Sequence, residues 1–289
     1  MLKKLLILLC GLLSIQTART QPKIGLCLSG GGALGFAHIG VLRALEENGI
    51  KPTVISGASI GAIIGALYAN GLNSAEILTA IEKNKMYSLF NIIKLIGSGP
   101  GGFSDTDKVR TILEKYLPHD SFDSLQTKFY LSMTSLSQAD WVIVGKGDHL
   151  IDHILGSMSI PGVFNPTKIG DDYYIDGGIM NNLPVEPLID QCDVIIGIDV
   201  HYLLSLVEPY DSSSKMAMWA YSAMMKEMQK KRVSACQYYI PVLGIQDYSP
   251  TDFKNYKEFY DLGYQSGIGF IKKHPDLVKN YGTTQKSSQ

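Results

Sequence analysis

The chain holds 289 residues, room for one large domain or two small ones. It has 26 basic and 27 acidic residues. Lys3, Lys4 and Arg19 fall in the first twenty positions, which hold no acid, so the remainder carries −4. That balance argues against a nucleic-acid binder, which needs a basic face for phosphates. Apolar residues at 45% exclude wholesale disorder, and four cysteines are too few for a disulfide scaffold at this length.

In chain order, residues 1–20 read as an export signal. Met1 to Lys4 is basic, Leu5 to Ile15 is apolar, and the polar stretch after it offers a weak cleavage pattern at Ala18. An apolar run of this length falls short of the roughly 20 residues that span a bilayer as a helix. Removal of the signal leaves Cys27, Cys192 and Cys236, an odd number, so at least one thiol is free or paired between chains. Residues 21–280 read as a single domain, with a polar tail at 281–289.

Within the domain, strand and helix signals alternate. Ile24 to Leu28 is a short apolar strand, followed by a run of glycines and a helix that Asn48-Gly49 closes. Thr53 to Ser56 is a second strand. Ile60 to Ala69 is a helix of small residues suited to close packing, and Ser74 to Lys83 is another. Ser104 with Asp107 reads as the cap of a helix ending near Leu117. Phe129 to Met133, Trp141 to Val144, Tyr173 to Ile175 and Val194 to Val200 read as strands. Lys215 to Arg232 and Phe253 to Lys273 read as helices. The alternation predicts an α/β fold with a largely parallel sheet.

Gly57-Ala58-Ser59-Ile60-Gly61 matches G-x-S-x-G between a strand and a helix, the context in which the motif has meaning. A serine at such a turn is forced out of the sheet, the flanking Gly57 and Gly61 relieve crowding, and the helix points its positive end at a forming oxyanion. The bland alternative is a tight turn with a capping serine.

Gly30-Gly31-Gly32-Ala33-Leu34-Gly35 also joins a strand to a helix. Gly30, Gly32 and Gly35 fit a dinucleotide fingerprint, but that reading needs an acid at the end of the next strand. Glu46 and Glu47 lie on the first helix instead. The other reading is an oxyanion loop, in which consecutive glycines let backbone N–H groups converge on one anion. Asp176-Gly177-Gly178 is by itself an Asp-Gly turn. Beside a serine elbow that needs a general base, Asp176 is the best-placed acid.

These three motifs, in this order, resemble the patatin-like phospholipases, and the sequence looks like a bacterial member. The similarity covers roughly Ile24 to Val200 and includes Ser159-Ile160-Pro161-Gly162-Val163-Phe164. The resemblance implies a three-layer α/β/α fold around a mainly parallel sheet. It further implies a serine lipid acyl hydrolase of phospholipase A or lysophospholipase type. Catalysis would run through a Ser59–Asp176 dyad, with Gly30, Gly31 and Gly32 as oxyanion hole and Gly35, Gly57, Gly61, Gly177 and Gly178 as motif support. Many members of the family carry Arg or Lys where this chain has Leu34, which removes a cation beside the oxyanion loop. A general carboxylesterase is the alternative, and a nucleotide-binding or non-catalytic module a more distant one.

A Ser–acid–His triad needs a histidine after Asp176, and His201 is the serious candidate, His274 lying in a surface-like segment. His38 reads as structural. His149 and His153 flank Asp152 without a third ligand, so no metal and no cofactor is expected. Met86 to Ile96, beside the glycine-rich 97–102 loop, is apolar at helical spacing. The helix from Lys215 carries Met216, Met218, Trp219, Met224, Met225 and Met228. Both stretches are either core or contacts with a lipid surface, and adaptable Met-rich faces suit varied acyl chains. The expected partner is a lipid ester substrate, with no nucleic acid.

Overall fold

The computed structural model describes residues 22–85, 106–201 and 213–283. The export signal, Met86–Ile96, the 97–102 loop and Ser104 lie outside the described residues.

Among the described residues, five strands pair in parallel, from β3 to the β8 edge of the sheet: β1 (Ile24–Leu28), β2 (Val54–Ala58), β3 (Lys128–Ser135), β7 (Val194–Asp199) and β8 (Tyr238–Pro241). Three further strands join on the β3 side by antiparallel pairing: β4 (Asp140–Val144) and β6 (Asp172–Asp176) with β3, and β5 (Thr167–Ile169) with β6. The order across the sheet is β5-β6-β3-β2-β1-β7-β8, with β4 paired to β3 off this path.

The register decides where the site forms. Along β3, β2 pairs with residues 128–132 and β6 with residues 133–135, while β4 overlaps both. A strand has two edges, so β4 holds one and β2 and β6 share the other in line. They approach from opposite directions, and their C-terminal ends meet.

Alternation of side chains puts the two faces of β1 and β7 into different cores. Ile24, Leu26, Leu28, Ile196 and Ile198 join the main core with α1 (Phe36–Glu47) and α2 (Ile60–Ala69). Cys27 and Ile195 join a smaller core with Leu188 of α6 (Glu186–Ile189) and, half-buried, Val233 of α7 (Ser213–Ala235). Helices therefore cover both faces, giving the expected α/β/α layers. The remaining α-helices among the described residues are α3 (Ser74–Lys83), α4 (Asp107–Tyr116), α5 (Leu150–Ser157), α8 (Tyr256–Lys273) and α9 (Pro275–Tyr281).

The α1–α8 contact is backbone against side-chain-free backbone. A Cβ on Gly40 would stand 2.0 Å from the Tyr260 carbonyl oxygen, and one on Gly263 the same distance from that of Ala37. Any side chain at either position would push the two helices apart.

Several expectations are corrected. β2 runs on to Ala58 rather than stopping at Ser56. Thr106, not Ser104, occupies the N-cap of α4. The tail is anchored where it starts: α9 continues to Tyr281, and the Thr283 N–H and hydroxyl both donate to the Gly49 carbonyl at 2.9 Å. On α7, Met225 is buried, whereas Met216, Trp219, Met224 and Met228 are exposed. Those four are not core. Among the described residues, no helix is long and apolar enough to cross a membrane.

Candidate active site

Ser59 follows β2 directly and takes the N-cap position of α2 with φ 54 and ψ −123. A left-handed φ is costly for a residue with a Cβ and persists only where the surroundings enforce it. Here close packing enforces it. A Cβ on Gly61 would lie 2.5 Å from the Leu28 carbonyl oxygen, so α2 starts against the end of β1. The Ser59 carbonyl accepts the first helical bonds, from Ala62 and Ile63. The result is a sharp strand-to-helix turn with the hydroxyl at its apex.

Asp176 ends β6 and meets that apex. The Ser59 hydroxyl donates to Asp176 Oδ2 at 2.5 Å, and both residues are 5% exposed. The other carboxylate oxygen accepts the Gly178 N–H at 2.7 Å. Gly177 makes the turn tight enough, since a Cβ there would stand 2.1 Å from the Ser132 carbonyl oxygen. Burial pushes the Asp176 carboxyl up to about 6, against the lowering effect of the bonds from Ser59 and Gly178.

The glycine loop lies beside Ser59 but is not uniform. The Gly30 N–H donates to the Asn182 carbonyl at 3.2 Å, so Gly30 is not an available donor, contrary to the expectation. Gly30 supplies close approach: a Cβ there would meet Asn182 Oδ1 at 2.4 Å and Ser59 Cβ at 3.1 Å. The Gly31 and Gly32 N–H groups have no partner among the described residues and open the short 3₁₀ turn Gly32–Gly35. Gly32 has φ +58, and the Ala33 N–H beside it donates to the Pro250 carbonyl at 2.8 Å. Leu34 is buried in the main core, so that position contributes packing.

The histidines stand apart from this chemistry. The Ser59 hydroxyl bonds Asp176 and not His201. The His201 N–H donates to Asp199 Oδ1, and burial pushes its imidazole down. Asp199 is itself buried beside the loop, its other oxygen accepting the Tyr239 hydroxyl at 2.8 Å. His38 is buried with Nε2 2.8 Å from the Ser29 carbonyl oxygen, and burial lowers it to about 4. His153 Nδ1 lies 2.6 Å from the His149 carbonyl oxygen. Among the described residues, no cluster of three metal-ligating side chains occurs.

Four further residues hold the site, and of these only Ser159 lies in a segment that the sequence marks. The Ser157 hydroxyl accepts the Ser59 N–H at 2.9 Å. The Ser159 carbonyl accepts the Asp176 N–H at 2.9 Å. Asn182 and Pro250 brace the glycine loop through their carbonyls. Main-chain acceptors depend on tertiary placement, which no motif encodes. An open cavity of about 770 Å³, lined by residues including Phe122, Lys128, Tyr130 and Lys146, meets the start of β3, at the opposite end of the sheet from Ser59.

A serine at the apex of a strand-to-helix turn, a buried carboxyl on its hydroxyl and unpartnered backbone N–H groups beside it form an arrangement suited to ester hydrolysis. The profile of the patatin-like phospholipases matches residues 26–189. The chain belongs to the patatin-like phospholipase family. It is 27% identical over 279 residues to the lysophospholipase nte1 of Neurospora crassa, covering 86% of this chain and 18% of that protein. It is 28% identical over 291 residues to the lysophospholipase NTE1 of Coccidioides immitis, covering 90% and 18%. The chain thus spans about a fifth of the length of these relatives. In fold it is similar to VipD from Legionella pneumophila, with a TM-score of 0.51 at 16% identity over 88% of this chain and 67% of that one.

Proposed function

We propose that the protein is a serine lipid acyl hydrolase, of phospholipase A or lysophospholipase type, acting through Ser59 and Asp176. The observation that carries this is the buried 2.5 Å hydrogen bond between the two side chains at the apex of the β2–α2 turn. Asp176, ionised above about pH 6, takes the Ser59 proton as Oγ attacks the ester carbonyl. The Gly31 and Gly32 N–H groups, with the N-terminus of α2, stabilise the oxyanion. The protonated Asp176 passes that proton to the departing alcohol, leaving an acyl-enzyme, and the regenerated carboxylate then takes a proton from the water that attacks the acyl carbonyl and returns it to Ser59 Oγ as the fatty acid leaves.

The substrate class is supported by the family and by the named activity of the fungal relatives. Bacterial origin and export on residues 1–20 rest on the sequence alone. Contact with a lipid surface is supported by the exposed Met216, Trp219, Met224 and Met228 on α7. Product analysis on lysophospholipid, diacyl phospholipid and a soluble short-chain ester tests the reading. Fatty acid released by the wild type and not by Ser59→Ala supports it, turnover of the short ester alone reduces it to a general esterase, and no turnover with no fluorophosphonate labelling of Ser59 overturns it.

A further inference from the structure

Ser157 and Ser159 stand two residues apart where α5 ends, and each is fully buried. One holds the backbone of the nucleophile and the other the backbone of the base. The Ser157 hydroxyl accepts the Ser59 N–H, and the Ser159 carbonyl accepts the Asp176 N–H, both at 2.9 Å. The segment is itself fixed. The Ser159 hydroxyl donates to the Leu155 carbonyl at 2.7 Å, and the Met158 N–H to that of Ile154 at 3.1 Å. At the other end of α5 the Ile151 N–H donates to Asp120 Oδ1 at 2.6 Å, while Leu150, Ile151, Ile154 and Leu155 are core.

The Ser59 amide needs such a partner. It stands at a helix N-cap with a left-handed φ, so no helical carbonyl is in reach, and a buried unpaired N–H is costly. Many acceptors could satisfy an amide. The particular feature here is that the acceptor is covalently tied, through Met158, to the group that holds Asp176.

We infer that Ser157 is a positioning residue for the dyad: with Ser159 on one short rigid segment, its hydroxyl sets the distance at which Ser59 Oγ reaches Asp176. The inference rests on the Ser59–Asp176 reading above. It distinguishes Ser157 from a serine that merely satisfies a core amide, because freeing the elbow must change the dyad hydrogen bond and not only the fold. The groups bonded to the Asp176 carboxyl are the Ser59 hydroxyl and the Gly178 N–H, so weakening the first acts directly on its ionisation.

The test compares wild type, Ser157→Ala and Ser157→Thr on one lipid ester, counting active sites with a fluorophosphonate. In Ser157→Ala, kcat per labelled site falls about 10- to 100-fold with KM changed less than about threefold, as expected for a nucleophile displaced by a fraction of an ångström. The acid limb of kcat/KM moves to higher pH, because the Ser59 bond holds the carboxyl down. Ser157→Thr, which keeps the hydroxyl, recovers most of the kcat. Wild-type kcat per site with an unmoved acid limb in Ser157→Ala, or a lowered Tm as its only change, overturns the inference while leaving the hydrolase reading intact. An inert, unlabelled wild type overturns both. If Ser157→Ala does not fold, Ser157→Cys keeps the volume with a poorer acceptor: reduced kcat at unchanged Tm supports the inference, and full kcat overturns it.

Discussion

Asp176 takes up the edge of β3 one position beyond the point where Ala58 leaves it: Ala58 is the partner of Ser132 and Asp176 that of Met133. The residue after Ala58 is Ser59. A parallel and an antiparallel strand sharing one edge therefore deliver the two side chains to one point, although 117 positions separate them in the chain.

Removal of either side chain should stop turnover without unfolding the protein. Ser59→Ala and Asp176→Asn are each expected to lower kcat at least about 10³-fold, with an unchanged circular dichroism spectrum and a Tm no lower than that of the wild type showing the fold retained. If His201→Ala abolished hydrolysis while Asp176→Asn did not, the dyad would be wrong.

The pH profile follows from the ionisation of Asp176. The base must be deprotonated, and its carboxyl lies near 6, so kcat/KM should be flat above about pH 7 and fall about tenfold per unit well below 6. Stability runs in the opposite sense. A carboxyl raised on folding favours the native state at low pH, and that contribution is lost as pH rises from the ordinary carboxylate range through about 6. Asp176→Asn should therefore raise Tm at pH 8 by about 2–6 °C, the gain shrinking by pH 5. Thermal melts of both proteins at the two pH values check this.

Gly32→Ala tests the loop. The substitution forces a Cβ at φ +58 and 2.4 Å from the Pro250 carbonyl oxygen, so one of the two free N–H donors must move. Loss of such a donor typically costs about 10²–10³ in rate. The effect belongs in kcat, read from steady-state kinetics at saturating ester, with KM little changed.

The exposed face of α7 gives a prediction about binding rather than chemistry. Serine at Met216, Trp219, Met224 and Met228 together should abolish retention on phospholipid vesicles and leave turnover of a short soluble ester within about twofold. Because the domain beyond the first twenty residues carries −4, wild-type binding to anionic vesicles should change little between low and high salt. Steep loss in salt would assign the contact to lysines instead.

Much of this was readable in the chain because local rules carried it. Ile60–Ala69 and Ser74–Lys83 form the helices their spacing predicts, and Ser59 with its glycines is marked by a strand before and a helix after. The elements that escaped notice are short or irregular. β5 has three residues, β8 has four and ends at Pro241, and α5 begins after a left-handed His149, so its pattern reads as isolated histidines. The donor status of Gly30 was illegible because it depends on Asn182, 152 residues away. Likewise, nothing about Met224 in sequence separates a core methionine from an exposed one. Periodicity gives the face of a helix, not what lies opposite.

The backbone contact between α1 and α8 bears on where the molecule can be cut. The family profile ends at residue 189, but a fragment stopping there would lack β7, β8 and α8. β1 would become a bare edge in what is now mid-sheet, and the Gly40 side of α1 would lose the helix its backbone rests on. Such a fragment is an aggregation hazard, not a minimal enzyme. The span that the family profile matches is shorter than the sheet it belongs to, and a fusion partner belongs after Thr283, whose N–H and hydroxyl hold the Gly49 carbonyl.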